Sequence, residues 1–231
     1  MVSIVCAVKN RAPVLRVTLN SWLVSPDVDE IVIVDWSSDA SLIPITVLSK
    51  KIKLIRVDNE PYFHLAAAFN LAADNATHDI ILKLDSDYLL NPFYPGVRVL
   101  QPPEKAFFTG NFQHGGPFLS FLNGLVCVRK TDWQRVNGYN ELMTGYGADD
   151  DDFYLRLIGS GLKRMILNPD PPAVLHIPHE NSVRVANYEN KNGPENYQKN
   201  RMIAESGQYV DRVYSWTYER LNDQVQFARK V

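Results

Sequence analysis

Two carboxylates separated by one residue come at the end of an apolar segment of the sequence. The segment DIILKLD (79–85) has the composition of a buried strand, and it ends at Asp85, with Asp87 two residues later. Because side chains alternate along an extended chain, Asp85 and Asp87 are predicted to face the same side. Such a pair suits a ribose hydroxyl and a hard divalent cation. The alternative is that both residues only cap a turn, which is a common role of aspartate.

A second group of candidate residues lies in the segment GYGADDDD (145–152). Gly145 and Gly147 flank Tyr146, which predicts a close-packed loop that presents an exposed aromatic ring to the face of a sugar. Four aspartates then begin a predicted helix. Acidic residues are favoured at a helix N-terminus by the helix dipole even where they have no other role.

The positions of these aspartates on the predicted helix separate their roles. Asp149 and Asp150 share a helical face with Phe153, so we expect them to point toward the protein and its cleft. Asp152 and Arg156 are four residues apart and are expected to form a surface ion pair. A carboxylate that is held at the cleft and kept ionised by the helix N-terminus can act as a general base.

Two histidines, His176 and His179, follow the strand-like segment PAVL (172–175). A single histidine is more often structural than a metal ligand. Two of them, in a chain whose acidic pair needs metal partners, favour ligation. Imidazole ligands would favour Mn²⁺ over Mg²⁺.

The elements that must position these residues alternate between strand and helix. The predicted strands are VSIVCAV (2–8), EIVIVD (30–35), KLIRV (53–57) and DIILKLD (79–85). This alternation predicts an α/β fold with a mostly parallel sheet. Ligands bind at the carboxyl ends of such strands, where Arg11 follows the first strand and Asp35 ends the second. No Gly-rich phosphate loop is present in the sequence, so side chains and a metal would have to hold any phosphates.

Composition excludes several classes of protein. The chain has 231 residues, 45% hydrophobic content and a net charge of −2, which gives no electrostatic case for binding nucleic acid. Cys6 and Cys127 lie in apolar segments and are predicted to be buried thiols. No window approaches the roughly 20 apolar residues of a transmembrane segment, and the N-terminal apolar stretch is too short for a signal peptide. We therefore predict a cytoplasmic protein, with a peripheral membrane association left open.

Three segments together resemble a known group of enzymes. The Asp-x-Asp pair, VDWSSD (34–39) and VKNR (8–11) resemble the inverting glycosyltransferases of the GT-A fold, family 2 in the broad sense. The segment NGYNELMTGYGADDDD (137–152) is similar, without a gap, to a segment of the β-1,4-galactosyltransferases. The resemblance covers residues 1–190 and implies a GT-A fold, that is, a Rossmann-like central sheet flanked by helices.

On the donor side, the resemblance implies that Arg11 contacts the diphosphate of a UDP-sugar and that Asp35 and Asp85 bind the uridine. It further implies that Asp87 and His179 ligate Mn²⁺, with Mg²⁺ as the alternative. His176 falls where the galactosyltransferases have a methionine ligand.

On the acceptor side, the resemblance implies that Asp150 is the base that deprotonates the acceptor hydroxyl. Tyr146, Gly147 and Asp149 are then expected to contact the sugars. Tyr146 and Asp149 differ from the Trp and Glu of the galactosyltransferases, and Ala148 replaces a Gly, so a different sugar pocket is expected.

We predict one GT-A domain, with a nucleotide-binding half at 1–88, an acceptor and catalytic half at 89–190 and a helical tail at 191–231. The predicted function is metal-dependent, inverting transfer of a hexose or N-acetylhexosamine from a UDP-sugar to a hydroxyl of a glycan or glycoconjugate. One alternative is a retaining enzyme of the polypeptide N-acetylgalactosaminyltransferase type, which has Asn where this chain has Asp150. Others are a non-catalytic sugar-nucleotide or carbohydrate-binding module and a nucleotidyltransferase; the absence of a Gly-rich N-terminal loop argues against the last.

Overall fold

The computed structural model describes residues 1–91, 101–112, 118–167, 172–209 and 212–231. Its strands are β1 (Val2–Val8), β2 (Val28–Trp36), β3 (Ile52–Val57), β4 (Ile80–Lys83), β5 (Tyr88–Leu90), β6 (Ala106–Thr109), β7 (Val126–Arg129), β8 (Lys163–Ile166), β9 (Val174–His176), β10 (Trp216–Arg220) and β11 (Val225–Lys230). Its helices are α1 (Ala12–Val24), α2 (Leu65–Asn75), α3 (Lys130–Arg135), α4 (Asp149–Gly159), α5 (Asn181–Val185) and α6 (Gly193–Ser206), with a 3₁₀ helix at Ile43–Leu48. Across the described ranges, none of the helices has the length and apolar character needed to cross a membrane.

One large sheet organises the described part of the chain, with the strand order β10-β11-β3-β2-β1-β4-β7-β6-β8. Neighbouring strands from β11 to β4 are parallel, whereas β7 runs antiparallel to both β4 and β6. The four strands predicted from the sequence are β1 to β4 and form the centre of this sheet. The prediction of an α/β fold with a mostly parallel sheet flanked by helices is therefore confirmed.

Helices cover both faces of the central strands, which explains why these strands are almost continuously apolar. All seven residues of β1 are buried. On one face Cys6 belongs to a core cluster with Trp22 of α1, and on the other Val5 belongs to a cluster with Phe69 of α2. Burial on both faces leaves the carboxyl ends of β1, β2 and β4 as the place where polar side chains emerge.

A separate two-stranded ladder ties two distant segments together. Strand β5 pairs antiparallel with β9, and Tyr88 lies opposite His176. The Ile177 N–H also donates to the Asp87 carbonyl at 2.8 Å. The chain that follows the Asp-x-Asp pair is thereby joined to the histidine-containing segment.

The C-terminal segment differs from the helical tail predicted over 191–231. Helix α6 ends at Ser206, and Gly207 follows it with a left-handed backbone, φ 66°. Strands β10 and β11 then form a hairpin, and β11 pairs in parallel with β3. Asn222 forms the turn, because its side-chain oxygen accepts hydrogen bonds from the N–H groups of Gln224 and Val225. The helix prediction is wrong for this hairpin because sparse apolar residues fit a helix or a strand equally well.

Candidate active site

Asp87 lies at the centre of a cluster of nitrogen-containing side chains. Its Oδ2 atom lies 3.0 Å from His179 Nε2 and 2.6 Å from a guanidinium nitrogen of Arg11. One possible ligand atom from each of Asp87, His176 and His179 lies within 4.8 Å of the others. The structure thus brings together four residues that the sequence had singled out from three separate segments.

The donor set of this cluster fits a divalent metal ion. Burial raises the pKa of Asp87, but the hydrogen bond with His179 and the charge of Arg11 outweigh burial, so the pKa lies below its ordinary value. The rings of His176 and His179 stand edge to face, with their centroids 5.4 Å apart. An ionised carboxylate with two imidazoles suits a first-row divalent ion such as Mn²⁺. The residues present are therefore compatible with the metal that the resemblance implies.

A buried lysine joins Asp85 to Asp150. Lys83 Nζ lies 3.0 Å from Asp85 Oδ1 and 3.3 Å from Asp150 Oδ1, and it donates to the Gly124 carbonyl at 2.7 Å. The Tyr139 hydroxyl donates to the same oxygen of Asp150 at 2.6 Å. Burial raises the pKa of Asp85, and the charge of Lys83 opposes that shift. Sequence reasoning missed Lys83, although a lysine inside an apolar strand is a signal that buried partners must exist.

Asn70 of α2 anchors the segment that leads to Asp150. Its side chain accepts from the Tyr139 N–H at 2.8 Å, and it donates to the Tyr139 carbonyl at 2.8 Å and to Glu141 Oε1 at 2.9 Å. A Cβ at Gly138, where φ is 70°, would meet Asn70 Oδ1 at 2.2 Å. Only glycine therefore fits this close approach. Asn70 thus holds the backbone of Tyr139, whose hydroxyl contacts Asp150. The local sequence around Asn70 gives no indication of this role.

The loop GYGA (145–148) packs closely against helix α6. A Cβ at Gly145 would lie 2.5 Å from the Asn196 side chain, and one at Gly147 would lie 2.9 Å from the Tyr197 ring. The close-packed loop predicted from the sequence is present. Tyr146, however, is only partly exposed, and burial raises the pKa of its hydroxyl.

Helix α4 begins at Asp149 and carries the acidic group. Burial and the charge of Asp150 raise the pKa of Asp149 to about 8, so Asp149 holds a proton at neutral pH and can donate a hydrogen bond. Asp152 and Arg156 do pair, at 2.6 Å, but the Asp152 side chain is only 8% exposed, so the expected surface pair is a buried one. Arg156 turns inward because it also donates to two backbone carbonyls of the 136–138 turn.

Two adjoining cavities connect the groups described above. The larger has a volume of about 1180 Å³, and its lining includes Asp85, Tyr146, Gly147, Asp149 and Asp150. The smaller has a volume of about 130 Å³, and its lining includes Arg11, Asp85, Asp87, Tyr146, His176 and His179. Because Asp85 and Tyr146 line both cavities, the cluster around Asp87 and the carboxylate of Asp150 open into one cleft.

Asp35 lies away from this cleft. Its side chain is completely buried, pairs with Arg56 at 2.6 Å and accepts from the Ser38 N–H at 3.0 Å. It lines neither of the two cavities. The contact between Asp35 and a uridine that the resemblance implies stays a prediction, and it would require Arg56 to move.

The described residues have the fold of the GT-A glycosyltransferases, with a cleft at the carboxyl ends of the central strands. An Asp-x-Asp turn follows a parallel strand, a cluster that fits a divalent cation adjoins it, and a further carboxylate faces the same space. Sequence comparison agrees: residues 3–124 match glycosyl transferase family 2, and residues 109–180 match the N-terminal domain of galactosyltransferase. The chain belongs to glycosyl transferase family 2.

The chain is also similar to individual galactosyltransferases in sequence and in fold. Xylosylprotein 4-beta-galactosyltransferase of Caenorhabditis elegans is 27% identical over 123 residues, 50% of this chain and 41% of that protein. Beta-1,4-galactosyltransferase 2 of Cricetulus griseus is 27% identical over 128 residues, 52% of this chain and 33% of that protein. The chain thus spans less than half the length of either relative. A Drosophila beta-1,4-galactosyltransferase 7 mutant in complex with manganese, UDP-Gal and xylobiose has the same fold, with a TM-score of 0.60, 15% identity and coverage of 99% of this chain and 92% of that chain.

Proposed function

We propose that the chain is a metal-dependent inverting glycosyltransferase. In this proposal it transfers a hexose or N-acetylhexosamine from a UDP-sugar to a hydroxyl of a glycan or glycoconjugate. The observation that carries the proposal is the shared cleft, in which the cluster at Asp87 and the carboxylate of Asp150 flank Asp85. The manganese and UDP-Gal bound by the Drosophila relative support the same assignment of donor and metal.

On the donor side, we assign the diphosphate to Arg11 and the uridine to Asp85. The resemblance adds Asp35 to the uridine site, although Asp35 pairs with Arg56 outside both cavities. We assign a divalent cation, Mn²⁺ or Mg²⁺, to the three-residue cluster of Asp87, His176 and His179. Bound there, the cation would neutralise charge on the leaving UDP. The guanidinium of Arg11, already held by Asp87 at 2.6 Å, offers the diphosphate a fixed positive charge.

On the acceptor side, we assign Asp150 as the general base. Within the described residues its contacts with Tyr139 and Lys83 both fall on Oδ1, so Oδ2 is the oxygen that would face the acceptor hydroxyl. The acceptor oxygen bonds to the anomeric carbon and its proton moves to Asp150. The bond from that carbon to the diphosphate oxygen breaks, and its electron pair leaves with UDP. One displacement of this kind inverts the anomeric configuration.

The loop and the first residue of α4 are assigned to sugar binding. Tyr146 and Gly147 line the larger cavity beside Asp150, and the half-buried ring of Tyr146 offers an apolar face to a sugar. Asp149 carries a proton at neutral pH because its pKa is about 8. It can therefore donate a hydrogen bond to a sugar oxygen while Asp150 accepts a proton.

A transfer assay with a panel of UDP-sugars and glycan acceptors, with and without Mn²⁺, tests the proposal. We expect metal-dependent transfer with inversion, as read by NMR of the first product anomer. Asp150→Asn should lower kcat by about 10²–10⁴ and leave UDP binding intact in calorimetry. His179→Ala should instead weaken metal binding, so that a higher Mn²⁺ concentration is needed for half-maximal activity.

Matched controls separate these effects from general damage. Asp132→Asn removes an acid from the first turn of another helix, α3, and His78→Ala removes a histidine that lines neither cavity. Both should keep wild-type activity. Equal activity of Asp150→Asn and wild type would remove Asp150 from the mechanism. A retained configuration would indicate the retaining class, and UDP binding without transfer would indicate a binding module.

A further inference from the structure

Lys83 is a buried charge in the middle of the sheet. It is the last residue of β4, between Val5 of β1 and Val126 of β7, and its side chain is only 1% exposed. Burying an ammonium is costly unless it is paired and hydrogen-bonded. A residue in such a position must therefore have partners that offset this cost.

The partners of Lys83 account for all three of its N–H donors. They are the carbonyl of Gly124 at 2.7 Å, Asp85 at 3.0 Å and Asp150 at 3.3 Å. The Nζ atom also lies 4.4 Å from the centre of the Phe69 ring. Burial lowers the pKa of Lys83, but the charges of Asp150 and Asp85 outweigh burial, and the pKa lies above its ordinary value. The side chain is therefore a permanent positive charge at neutral pH.

The other groups around Asp150 are mostly acidic side chains and tyrosines. The acidic side chains that interact electrostatically with Asp150 are those of Asp85, Asp149 and Asp151. The Tyr139 hydroxyl donates to it, and Tyr146 and Tyr188 interact with it electrostatically. The hydroxyls of Tyr88 and Tyr154 donate instead to backbone carbonyls. Two arginines lie near this group, Arg164 beside Asp151 and Arg184 beside Tyr146. Among the residues that the structure describes, Lys83 is the cation that pairs with Asp150.

We propose that Lys83 is a positioning residue that supplies the counter-charge of the Asp150 carboxylate and holds its Oδ1 atom away from the acceptor. This inference rests on the proposed role of Asp150 as the base. A base must be ionised before it can accept a proton, and a nearby positive charge favours the ionised form of a carboxylate. Because Lys83 also binds Asp85, it fixes the spacing between the donor and acceptor sides of the cleft.

The pH dependence of kcat/KM in Lys83→Met, Lys83→Gln and Lys83→Arg tests this role. In the two neutral variants the acidic limb of the profile should move to higher pH by about 1–3 units. The charged Lys83→Arg should keep the limb near its wild-type position. Lys130→Met is the control, because Lys130 is partly buried and donates to the Ala76 carbonyl, outside both cavities. An unshifted limb in a folded neutral variant would overturn the proposal.

A second measurement does not need activity. Carboxyl-carbon NMR of aspartate-labelled protein, with the Asp150 signal assigned by its absence in Asp150→Asn, reports the charge of this side chain directly. The signal should be that of an ionised carboxylate in wild type at pH 7, and its titration should move to higher pH in the neutral variants. A protonated Asp150 in wild type at pH 7 would refute the role of Lys83 whether or not the variants fold. Wild-type protein with an ionised Asp150 but no transfer would instead contradict the proposed function alone.

Discussion

Replacing Asn70 by alanine tests whether one side chain holds the segment that carries the candidate base. Asn70 is 1% exposed and makes three hydrogen bonds, two with the backbone of Tyr139 and one with the Glu141 carboxylate. A neutral hydrogen bond contributes about 1 kcal/mol and one to a charged group about 2 kcal/mol. The three bonds together give an expected loss of about 4 kcal/mol in the free energy of unfolding.

Urea unfolding followed by circular dichroism measures this loss. Asn20→Ala is the matched control, because Asn20 is an exposed residue of helix α1, and its replacement should change stability by no more than about 0.5 kcal/mol. Under conditions where Asn70→Ala is folded, kcat should also fall, because Tyr139 is no longer held beside Asp150. A loss below about 1.5 kcal/mol for Asn70→Ala would show that other contacts hold this backbone, and the reasoning would then fail.

Two further predictions concern the pH dependence of stability. Burial raises the pKa of Glu30, but the hydrogen bonds that it accepts, led by that from Lys53, outweigh burial and leave the pKa below its ordinary value. A carboxylate with a lowered pKa stabilises the fold at pH values above its ordinary pKa. Glu30→Gln should therefore be less stable than wild type near pH 7, and the difference should shrink below about pH 4.5. The exposed control Glu189→Gln should show no such trend. The pKa of Asp149 is raised instead, to about 8, so its ionisation weakens the fold as pH rises from about 4 toward 8. Asp149→Asn should therefore raise the urea midpoint, and more at pH 8 than at pH 5; equal effects at the two pH values would contradict this.

Local sequence signals were sufficient to predict the central strands of the sheet and two groups of acidic residues that lie at the cleft. Strands buried on both faces are continuous apolar segments, and β1 to β4 are recognisable for that reason. The polar residues that end these strands stand out against them, which is how Asp85 and Asp87 could be found. The acidic start of α4 can also be recognised from a short stretch of sequence, because a turn of aspartates follows a Gly-aromatic-Gly loop.

The remaining features depend on pairings between segments far apart in the chain. Lys83 and Asp150 come from segments far apart in the chain and meet only in the folded structure. Two of the three hydrogen bonds of Asn70 are to backbone groups of Tyr139, which any residue type would provide. The hairpin of β10 and β11 was missed because its apolar residues are few. Its position beside β3 depends on backbone pairing and on the Gln224 side chain, which donates to the carbonyls of Thr46, Ser49 and Ile52. Neither contact can be read from the local sequence.

The ladder between β5 and β9 has a consequence for how such chains can be recombined. A piece ending at residue 124 would contain Asp87 without either histidine, and a piece beginning at residue 109 would contain the histidines without the aspartate. Strands β5 and β9 pair antiparallel along their length, with Tyr88 opposite His176. A chimaera assembled from two relatives would therefore need to inherit both strands from one parent, because otherwise the side chains of the candidate metal site would come from two backbones that do not pair with each other.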